Sequence, residues 1–364
     1  GGDEFTVILR DVKTADDVMR VGERIVDAIR QPMTFENTSL TVGSSVGSSV
    51  CPRDTANPDE LFTYADTAMY HAKFNGMDVA MYESDMTAEL IERKRVESKL
   101  IHALERNEFH VVYQPQYAID GDRIIGFEAL MRWTRDGSIV SPMDFIPLLE
   151  TTGQIIEAGQ WILDQACRQL EAWTGAGFHT RVAVNISPVQ FRDPQFIERV
   201  IDTISKYEIP AEMIDLEITE GVLIADVEQT ARTLDRLKAI GCRISVDDFG
   251  TGYSSLAYLK NFPIDQLKID RTFIKDFPEH DDGTIATSII VLGLSLDMEV
   301  LAEGVETQQQ LDFLRSQECQ AYQGNFRSMP VGPEECQQLL EKVGLKQNDP
   351  TTFTGSLDRR QIIK

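Results

Sequence analysis

Acidic and amide residues close a series of short apolar runs in this chain, and their types suit a metal site. They are Glu128, Asn185, Glu217, the Asp247-Asp248 pair and Glu303. In α/β barrels the chemistry takes place where strands end, so these side chains are expected to converge. Hard cations such as Mg²⁺ and Mn²⁺ favour carboxylate and amide oxygens. The pattern therefore predicts a divalent-cation site at the ends of several strands.

The consecutive pair Asp247-Asp248 can serve one site only if its strand stops there, because neighbouring strand residues point to opposite faces. The segment 249–252, Phe-Gly-Thr-Gly, supplies the expected turn. A carboxylate pair so placed can bridge two cations about 3.5–4 Å apart, the arrangement that activates water for phosphoester cleavage. Lys268, with Asp270 two residues later, could hold that water or neutralise charge developing on phosphorus. The sequence leaves these two roles open.

Each of these residues also has an ordinary interpretation when it is taken alone. Glu217 could be a salt-bridge partner, Asn185 a turn-former and Lys268 a solvated surface charge. Taken together, several uncompensated acids at buried strand ends would repel one another and lose hydration unless cations neutralise them. Acid placement alone also leaves open a metal-dependent barrel of the enolase or aldolase type.

The elements that must position these residues are alternating strands and helices from residue 108 onward. A representative helix is Asp226 to Ile240, with one apolar stripe and with Gly241 at the expected C-terminal cap, so its two flanking strands should run parallel. The pattern predicts an α/β fold with a TIM-like (β/α)8 barrel. The predicted strands are His110–Tyr117, Ile124–Leu130, Val182–Ile186, Ile214–Thr219, Arg243–Val246, Gln266–Ile269 and Val300–Leu301.

The first 84 residues predict a separate, smaller α+β domain. It should contain strands at Thr6–Leu9 and Leu40–Val50, and helices at Asp16–Ile29 and Pro58–Lys73. A helix over 85–107 should connect it to the barrel domain, 108–345, and a coiled-coil role for that helix stays open. The polar stretch 346–364 is expected to be a loose tail.

Composition narrows the classes of partner. A formal net charge of -24 argues against a nucleic-acid polymer, which needs clustered Lys and Arg. The five cysteines show no zinc-ligand spacing and are expected to be reduced and mostly packed. No apolar run approaches the ~20 residues that a membrane helix needs. We expect a cytoplasmic location, with membrane attachment left to segments outside this sequence.

Several motifs, in order, resemble EAL-type cyclic di-GMP phosphodiesterases over roughly residues 108–344. They are Glu128-Ala129-Leu130-Met131-Arg132-Trp133, Asn185-Ile186-Ser187, Glu217-Ile218-Thr219-Glu220, the run 247–255 (DDFGTGYSS), Lys268-Ile269-Asp270 and Glu303-Gly304-Val305-Glu306. The resemblance implies a TIM-like barrel that takes two Mg²⁺ or Mn²⁺ ions per site. The implied metal ligands are Glu128, Asn185, Glu217, Asp247, Asp248 and Glu303.

The resemblance also assigns roles around those ligands. It implies that Lys268 supports the nucleophilic water, that Glu303 belongs to the catalytic set, and that Glu220 orders the loop after Asp248. The positions implied to contact or line the dinucleotide site are Gln114, Arg132, Asp270 and Gln323. After Gln323-Gly324 the family usually has an aromatic and another apolar residue before its terminal Pro, whereas this chain has Asn325, Phe326 and Arg327, so the resemblance does not fix the guanine contacts near that rim. A second departure is a segment between Asp270 and Glu303 that is about one residue shorter than in the family, which we place in the loop Pro278 to Gly283.

The opening Gly1-Gly2-Asp3-Glu4-Phe5 resembles the signature loop of GGDEF diguanylate cyclases, and 66–76 resembles a later helix of that family. Roughly the first half of such a domain is missing from this sequence, and Met77 stands where the family has Arg. We therefore expect a remnant without cyclase activity, with apolar faces left exposed.

The resemblance implies a bacterial second-messenger enzyme that hydrolyses cyclic di-GMP to linear 5'-pGpG by in-line attack of water at two metals. The alternative is a cyclic di-GMP receptor that binds without cleaving and signals through the 85–107 helix. A homodimer through the barrel and an upstream sensor domain are the further partners that the resemblance implies.

Overall fold

The computed structural model describes residues 2–35, 38–121, 123–252, 259–279 and 282–343. The chain divides into two compact units, Gly1–Lys99 and Leu100–Lys364. The predicted tail, 346–364, lies outside the described residues, as does the 253–255 part of the aspartate motif.

Two predicted helices of the N-terminal unit are present with nearly the expected bounds. Ala15–Arg30 begins with a capping box in which the Asp17 amide donates to Thr14 Oγ1 (3.2 Å) and the Thr14 amide donates to Asp17 (3.0 Å). Pro58–Phe74 has Pro at its first turn and the side chain of Asn57 as its cap. Gly76, at φ 65°, follows its end as predicted.

The strands of this unit are short. Met33–Phe35 pairs antiparallel with Thr38–Leu40, and Val46–Ser48 pairs parallel with Val79–Met81. The predicted strand Leu40–Val50 is therefore reduced to Val46–Ser48, and Leu40 instead ends the separate strand Thr38–Leu40. The prediction of a strand at 6–9 was wrong: this segment has no described strand beside it to take up its backbone hydrogen bonds, and Ile8 is 76 % exposed. Exposed apolar side chains were expected for this unit.

The connecting helix spans Ser84–Leu100 and is shorter than the predicted 85–107. Residues 101–107 form turns instead, because the chain folds back so that the Glu108 amide donates to the Ala103 carbonyl (3.0 Å). Ala103 is fully buried, and Asn107 adopts a left-handed φ of 55° that ends this segment.

The described strands of the second unit close into an eight-stranded barrel, with Ser138–Val140 added at the edge of the second strand. In chain order the barrel strands are Phe109–Ala118, Ile124–Arg135, Val182–Ile186, Ile214–Thr219, Arg243–Phe249, Gln266–Ile269, Glu299–Ala302 and Ala321–Gln323. The predicted TIM-like architecture is confirmed.

The first strand differs from a regular (β/α)8 barrel because it runs antiparallel to both of its neighbours. Only the short segment 119–123 joins it to the second strand, which is enough for a hairpin and too little for a helical crossover. All the other neighbouring barrel strands pair parallel.

Helices between the strands cover the outside of the barrel. The predicted helix is Val227–Ile240: Asp226 Oδ1 accepts from the Gln229 amide at its start (3.0 Å), and Gly241 at φ 105° caps its end. Within the described residues, the α-helices of this unit are Pro142–Thr152, Ile155–Gly175, Pro188–Phe191, Phe196–Ile204, Glu220–Ala225, Val227–Ile240, Thr272–Lys275, Thr284–Ser295, Gln308–Ser316 and Pro333–Val343.

Strand alternation makes the barrel interior polar. In Ile214–Thr219 the apolar residues Ile214, Leu216 and Ile218 alternate with acids and pack outward at 0–1 % exposure. Asp215 and Glu217 therefore project into the barrel. The alternation of apolar and acidic residues therefore places charged side chains one above another inside the barrel, and the uppermost of them lie at the carboxyl ends of the strands.

The cysteine thiols match the expectation from composition. The five cysteines are free, and all are buried except Cys51. Among the described residues, no helix is both long enough and apolar enough to cross a membrane.

Candidate active site

Lys268 lies at the centre of an acid cluster at the carboxyl ends of the strands. Its side chain has no exposed surface. The ammonium Nζ lies 2.7 Å from Glu303 Oε1, 2.8 Å from Glu217 Oε2, 3.3 Å from Asp247 Oδ1 and 3.7 Å from Glu128 Oε2. We call these five residues the acid cage. The interpretation of Lys268 as a solvated surface charge was wrong, because the residue is on the inner face of Gln266–Ile269.

Two amide side chains donate hydrogen bonds to the carboxylate of Glu128. Asn185 Nδ2 donates to Glu128 Oε1 (2.6 Å), and Gln323 Nε2 donates to Glu128 Oε2 (2.5 Å). Gln323 Nε2 also donates to Gln114 Oε1 (3.0 Å). The structure thus brings together residues from strands that are far apart in sequence.

The paired aspartates converge through an irregular strand end. The strand extends to Phe249, beyond the predicted Val246, and its register with the next strand shifts between Val246 and Phe249. Asp248 takes a left-handed φ of 53°, and its amide donates to Asp247 Oδ1 (2.9 Å). The predicted turn therefore begins within the strand, as a bulge.

Asp248 lies toward the outer side of the cluster with Asp270. Burial, then the neighbouring charges of Asp247 and Asp270, raise the pKa of Asp248 to about 6. Asp270 is itself anchored by the Thr272 amide, which donates to Asp270 Oδ1 (2.9 Å). This pair of close carboxyl groups is a second concentration of negative charge beside the acid cage.

Glu220 holds the loop that follows the aspartates. The Gly250 amide donates to Glu220 Oε2 (3.0 Å), and Gly250 has a φ of 100° that favours glycine. Glu220 is almost fully buried at the start of the short helix after Glu217. The carboxylate therefore ties the ends of two adjacent strands together.

Negative charge exceeds positive charge in the acid cage. Burial raises the pKa of Glu303 to about 8, and burial together with Glu128 and Asp247 raises the pKa of Glu217 well above its ordinary value. Burial lowers the pKa of Lys268, but the surrounding carboxylates outweigh it, so that pKa lies well above its usual range. The lysine stays charged and still leaves the acids under-compensated.

The donor set fits divalent cations. Glu217 Oε1 is buried without a hydrogen-bond partner among the described residues, and the site offers the carboxylate and amide oxygens that Mg²⁺ and Mn²⁺ prefer. Within the described residues, no three His, Cys, Asp or Glu side chains form a ready-made ion-binding group. The Lys268 ammonium explains this, because it holds the carboxylates around itself.

The first two barrel strands supply one wall above the acid cage. Gln114 and Glu128 are directly opposed across this strand pair, and Arg132 lies on the same strand as Glu128. Arg132 is half-buried and donates to the Met131 carbonyl (3.0 Å). Burial lowers its pKa, while Glu128 acts in the opposite direction. All the residues assigned from the sequence thus lie at this end of the barrel.

The structure shows a hydrogen bond near Asn185 that the sequence did not indicate. Ser187 Oγ donates to Glu150 Oε1 (2.5 Å), which ties the segment after Asn185 to helix Pro142–Thr152. No spacing or motif marks Glu150, since its partner is distant in sequence. Arg327, one of the departures from the resemblance, donates to Tyr322 Oη (3.3 Å).

Models of two known domain families match this chain. The family model of the EAL domain matches residues 97–330, and the family model of the diguanylate cyclase GGDEF domain matches residues 1–79. The signaling protein YkoW of Bacillus subtilis is 38 % identical over 344 residues, which are 93 % of this chain and 43 % of that protein. The cyclic di-GMP phosphodiesterase NbdA of Pseudomonas aeruginosa is 35 % identical over 334 residues, which are 91 % of this chain and 42 % of NbdA.

Solved structures show the same relationship. The MucR phosphodiesterase in complex with c-di-GMP has a TM-score of 0.64 and 38 % identity, and the match covers 66 % of this chain and 99 % of that one. The EAL domain of Mycobacterium smegmatis DcpA has a TM-score of 0.57 and 32 % identity over 64 % of this chain and 98 % of that one. This chain spans about half the length of the curated relatives it matches. It belongs to the EAL domain family, and a GGDEF match precedes its barrel.

Proposed function

We propose that this chain hydrolyses cyclic di-GMP to linear 5'-pGpG with two divalent cations, Mg²⁺ or Mn²⁺. The observation that carries the proposal is the acid cage, in which Lys268 and four carboxylates converge at the mouth of a barrel of this family. A relative named as a cyclic di-GMP phosphodiesterase and a similar structure in complex with c-di-GMP support the substrate.

The cations would supply positive charge for the scissile phosphate and would lower the pKa of the attacking water. The residues that would hold them are Glu128, Asn185, Glu217, Asp247, Asp248 and Glu303. Lys268 keeps four of these carboxylates together and places an ammonium beside the reacting phosphate, where it opposes the charge that develops. Arg132 suits a phosphate oxygen through charge-assisted hydrogen bonds. Glu220 fixes the loop after Asp248 through the Gly250 amide.

The test is turnover of cyclic di-GMP by the purified full chain with Mg²⁺ or Mn²⁺, followed by chromatography, with and without chelator. Glu128→Gln removes one carboxylate of the acid cage and should lower kcat at least a hundredfold, which is about 2.7 kcal/mol. Glu228→Gln, on the exposed face of Val227–Ile240, is the matched control and should retain full activity.

Two results would refute the proposal. One is the absence of linear product at any metal and protein concentration, and the other is an intact nucleotide bound tightly in the presence of Mg²⁺ or Mn²⁺. The second result would establish the non-catalytic receptor instead.

A further inference from the structure

The first two barrel strands continue past the acid cage as a two-stranded wall with defined cross-strand pairs. Gln114 opposes Glu128, Val112 opposes Leu130, and His110 opposes Arg132. Side chains two residues apart on a strand share a face, so these three pairs lie on one side of the wall. We call this side the ladder face.

The opposite side of the wall is packed against helices, which fixes the direction of the ladder face. Phe109 contacts Trp133, Phe145 and Trp161, with ring centroids 5.7–6.1 Å apart. Tyr113 packs edge-on against Trp173 at 5.3 Å. These aromatic residues alternate with His110, Val112 and Gln114 along the first strand, so the latter three are turned away from the helices.

The inner end of the ladder face is continuous with the acid cage. Gln323 donates to Gln114 and to Glu128, which form the innermost pair. Each further pair is displaced by two strand residues, about 6.6–6.8 Å. The His110–Arg132 pair therefore lies about 13 Å outward from the Gln114–Glu128 pair along the wall.

The outer pair combines a cation with a neutral ring. Burial and then the charge of Arg132 lower the pKa of His110, which makes the imidazole neutral at pH 7. A neutral imidazole offers a flat π-face, one donor and one acceptor. His110 is exposed, whereas Arg132 is half-buried, so the ring is open to a ligand that extends out of the barrel.

We propose that His110 contacts the purine base of the nucleotide farther from the acid cage and helps determine the specificity for a guanine dinucleotide. This inference rests on the proposed function, which places the scissile phosphate at the acid cage and leaves the second nucleotide to extend outward. The apolar pair Val112–Leu130 lies between the two polar pairs and offers the sugar a neutral surface. Base–aromatic stacking explains why a ring is suited to this position.

The experiment compares His110→Ala, His110→Phe and the control His102→Ala in the full chain. His102 is exposed on the 101–107 turns and pairs with Glu105, away from the ladder face. Steady-state kinetics with cyclic di-GMP and Mg²⁺ give KM and kcat separately. Binding of cyclic di-GMP with Ca²⁺ in place of Mg²⁺, measured by calorimetry, gives an affinity that does not depend on turnover.

His110→Ala should raise KM and weaken binding by roughly 5- to 100-fold, with kcat within about twofold of the unmodified chain. His110→Phe should recover most of the affinity through stacking, but should bind cyclic di-AMP relatively better because the ring loses its polar edge. His102→Ala should change neither parameter. Circular dichroism of all three variants checks that the fold is intact.

Unchanged KM and affinity in His110→Ala would overturn the inference while leaving the proposed function intact. A fall in kcat at constant KM would also overturn it, since it would place His110 in the chemistry rather than in recognition. Failure of the unmodified chain to turn over or bind cyclic di-GMP would instead refute the proposed function itself.

Discussion

Replacing Lys268 with Met tests whether the ammonium holds the acid cage together. The substitution keeps an unbranched chain of similar length and removes the only cation within 4.0 Å of Glu217 and Glu303 among the described residues. In the absence of metal, the buried carboxylates would then face one another without compensation.

The distances from the Lys268 ammonium to the carboxylates give the expected loss in the free energy of unfolding. At an effective dielectric constant of about 20, a pair of unit charges 2.8 Å apart interacts by about 6 kcal/mol. Desolvation offsets much of this, and removing one partner of a buried ion pair typically costs about 3–5 kcal/mol. Because burial raises the pKa of Glu303 to about 8, this carboxyl carries little charge at neutral pH, which limits the cost to that range. We expect a loss of about 3–5 kcal/mol in the free energy of unfolding.

The assay is urea denaturation in chelator, followed by tryptophan fluorescence. The three tryptophans, Trp133, Trp161 and Trp173, all belong to the barrel unit, so the signal reports on that unit. The matched control is Lys238→Met, which breaks a more exposed pair with Asp265 (2.8 Å) and should cost about 1 kcal/mol or less. Mg²⁺ or Mn²⁺ should restore more stability to Lys268→Met than to the unmodified chain. Equal losses for the two variants in chelator would refute the reasoning.

Other predictions concern the loop, the thiols and pH. Glu220→Gln weakens the acceptor for the Gly250 amide and should lower kcat about tenfold or more, with a smaller change in nucleotide affinity measured with Ca²⁺. Gly250→Ala should destabilise the chain by about 1–3 kcal/mol in the same urea assay, because φ is 100° and the added Cβ would lie 2.9 Å from Phe273. Iodoacetamide at pH 8 should modify Cys51 alone in the folded chain, since burial raises the pKa of the other four thiols to about 12; mass spectrometry identifies the site. Glu303 has a folded-state pKa of about 8 against an ordinary 4.5, so the folded state binds more protons between these values. The unfolding free energy of the metal-free chain should therefore fall as pH rises from about 5 to 8, and Glu303→Gln should flatten that slope.

The sequence predicted the barrel well because its strands show both an apolar face that packs under the helices and a polar residue at the strand end. In Ile214–Thr219 the apolar residues mark the face under the helices, while Glu217 marks the end of the strand. Cap residues likewise mark where a helix begins and ends. Asp226 caps the start of Val227–Ile240, and Gly241 caps its end. Local chemistry was therefore sufficient to place the strand ends and the acids on them.

Long-range pairing was not predictable from local patterns. The segment 6–9 is apolar and extended in character, but a strand also requires a neighbour, which the sequence pattern does not supply. The connecting helix has no glycine or proline at its end, so nothing in its composition shows that it stops at Leu100. Likewise, Lys268 could not be placed at the centre of the acids, because its four partners come from four other strand ends.

The reversed direction of Phe109–Ala118 decides where the polypeptide enters the barrel. A barrel whose strands were all parallel would receive its chain at the end opposite the acid cage. Here the entry is at the rim: Glu108 accepts from the indole of Trp133 (2.9 Å), and the strand then descends through His110 to Gln114. Residues 101–107 therefore join the barrel at the same end as the acid cage, through the strand whose Gln114 accepts from Gln323 Nε2 (3.0 Å).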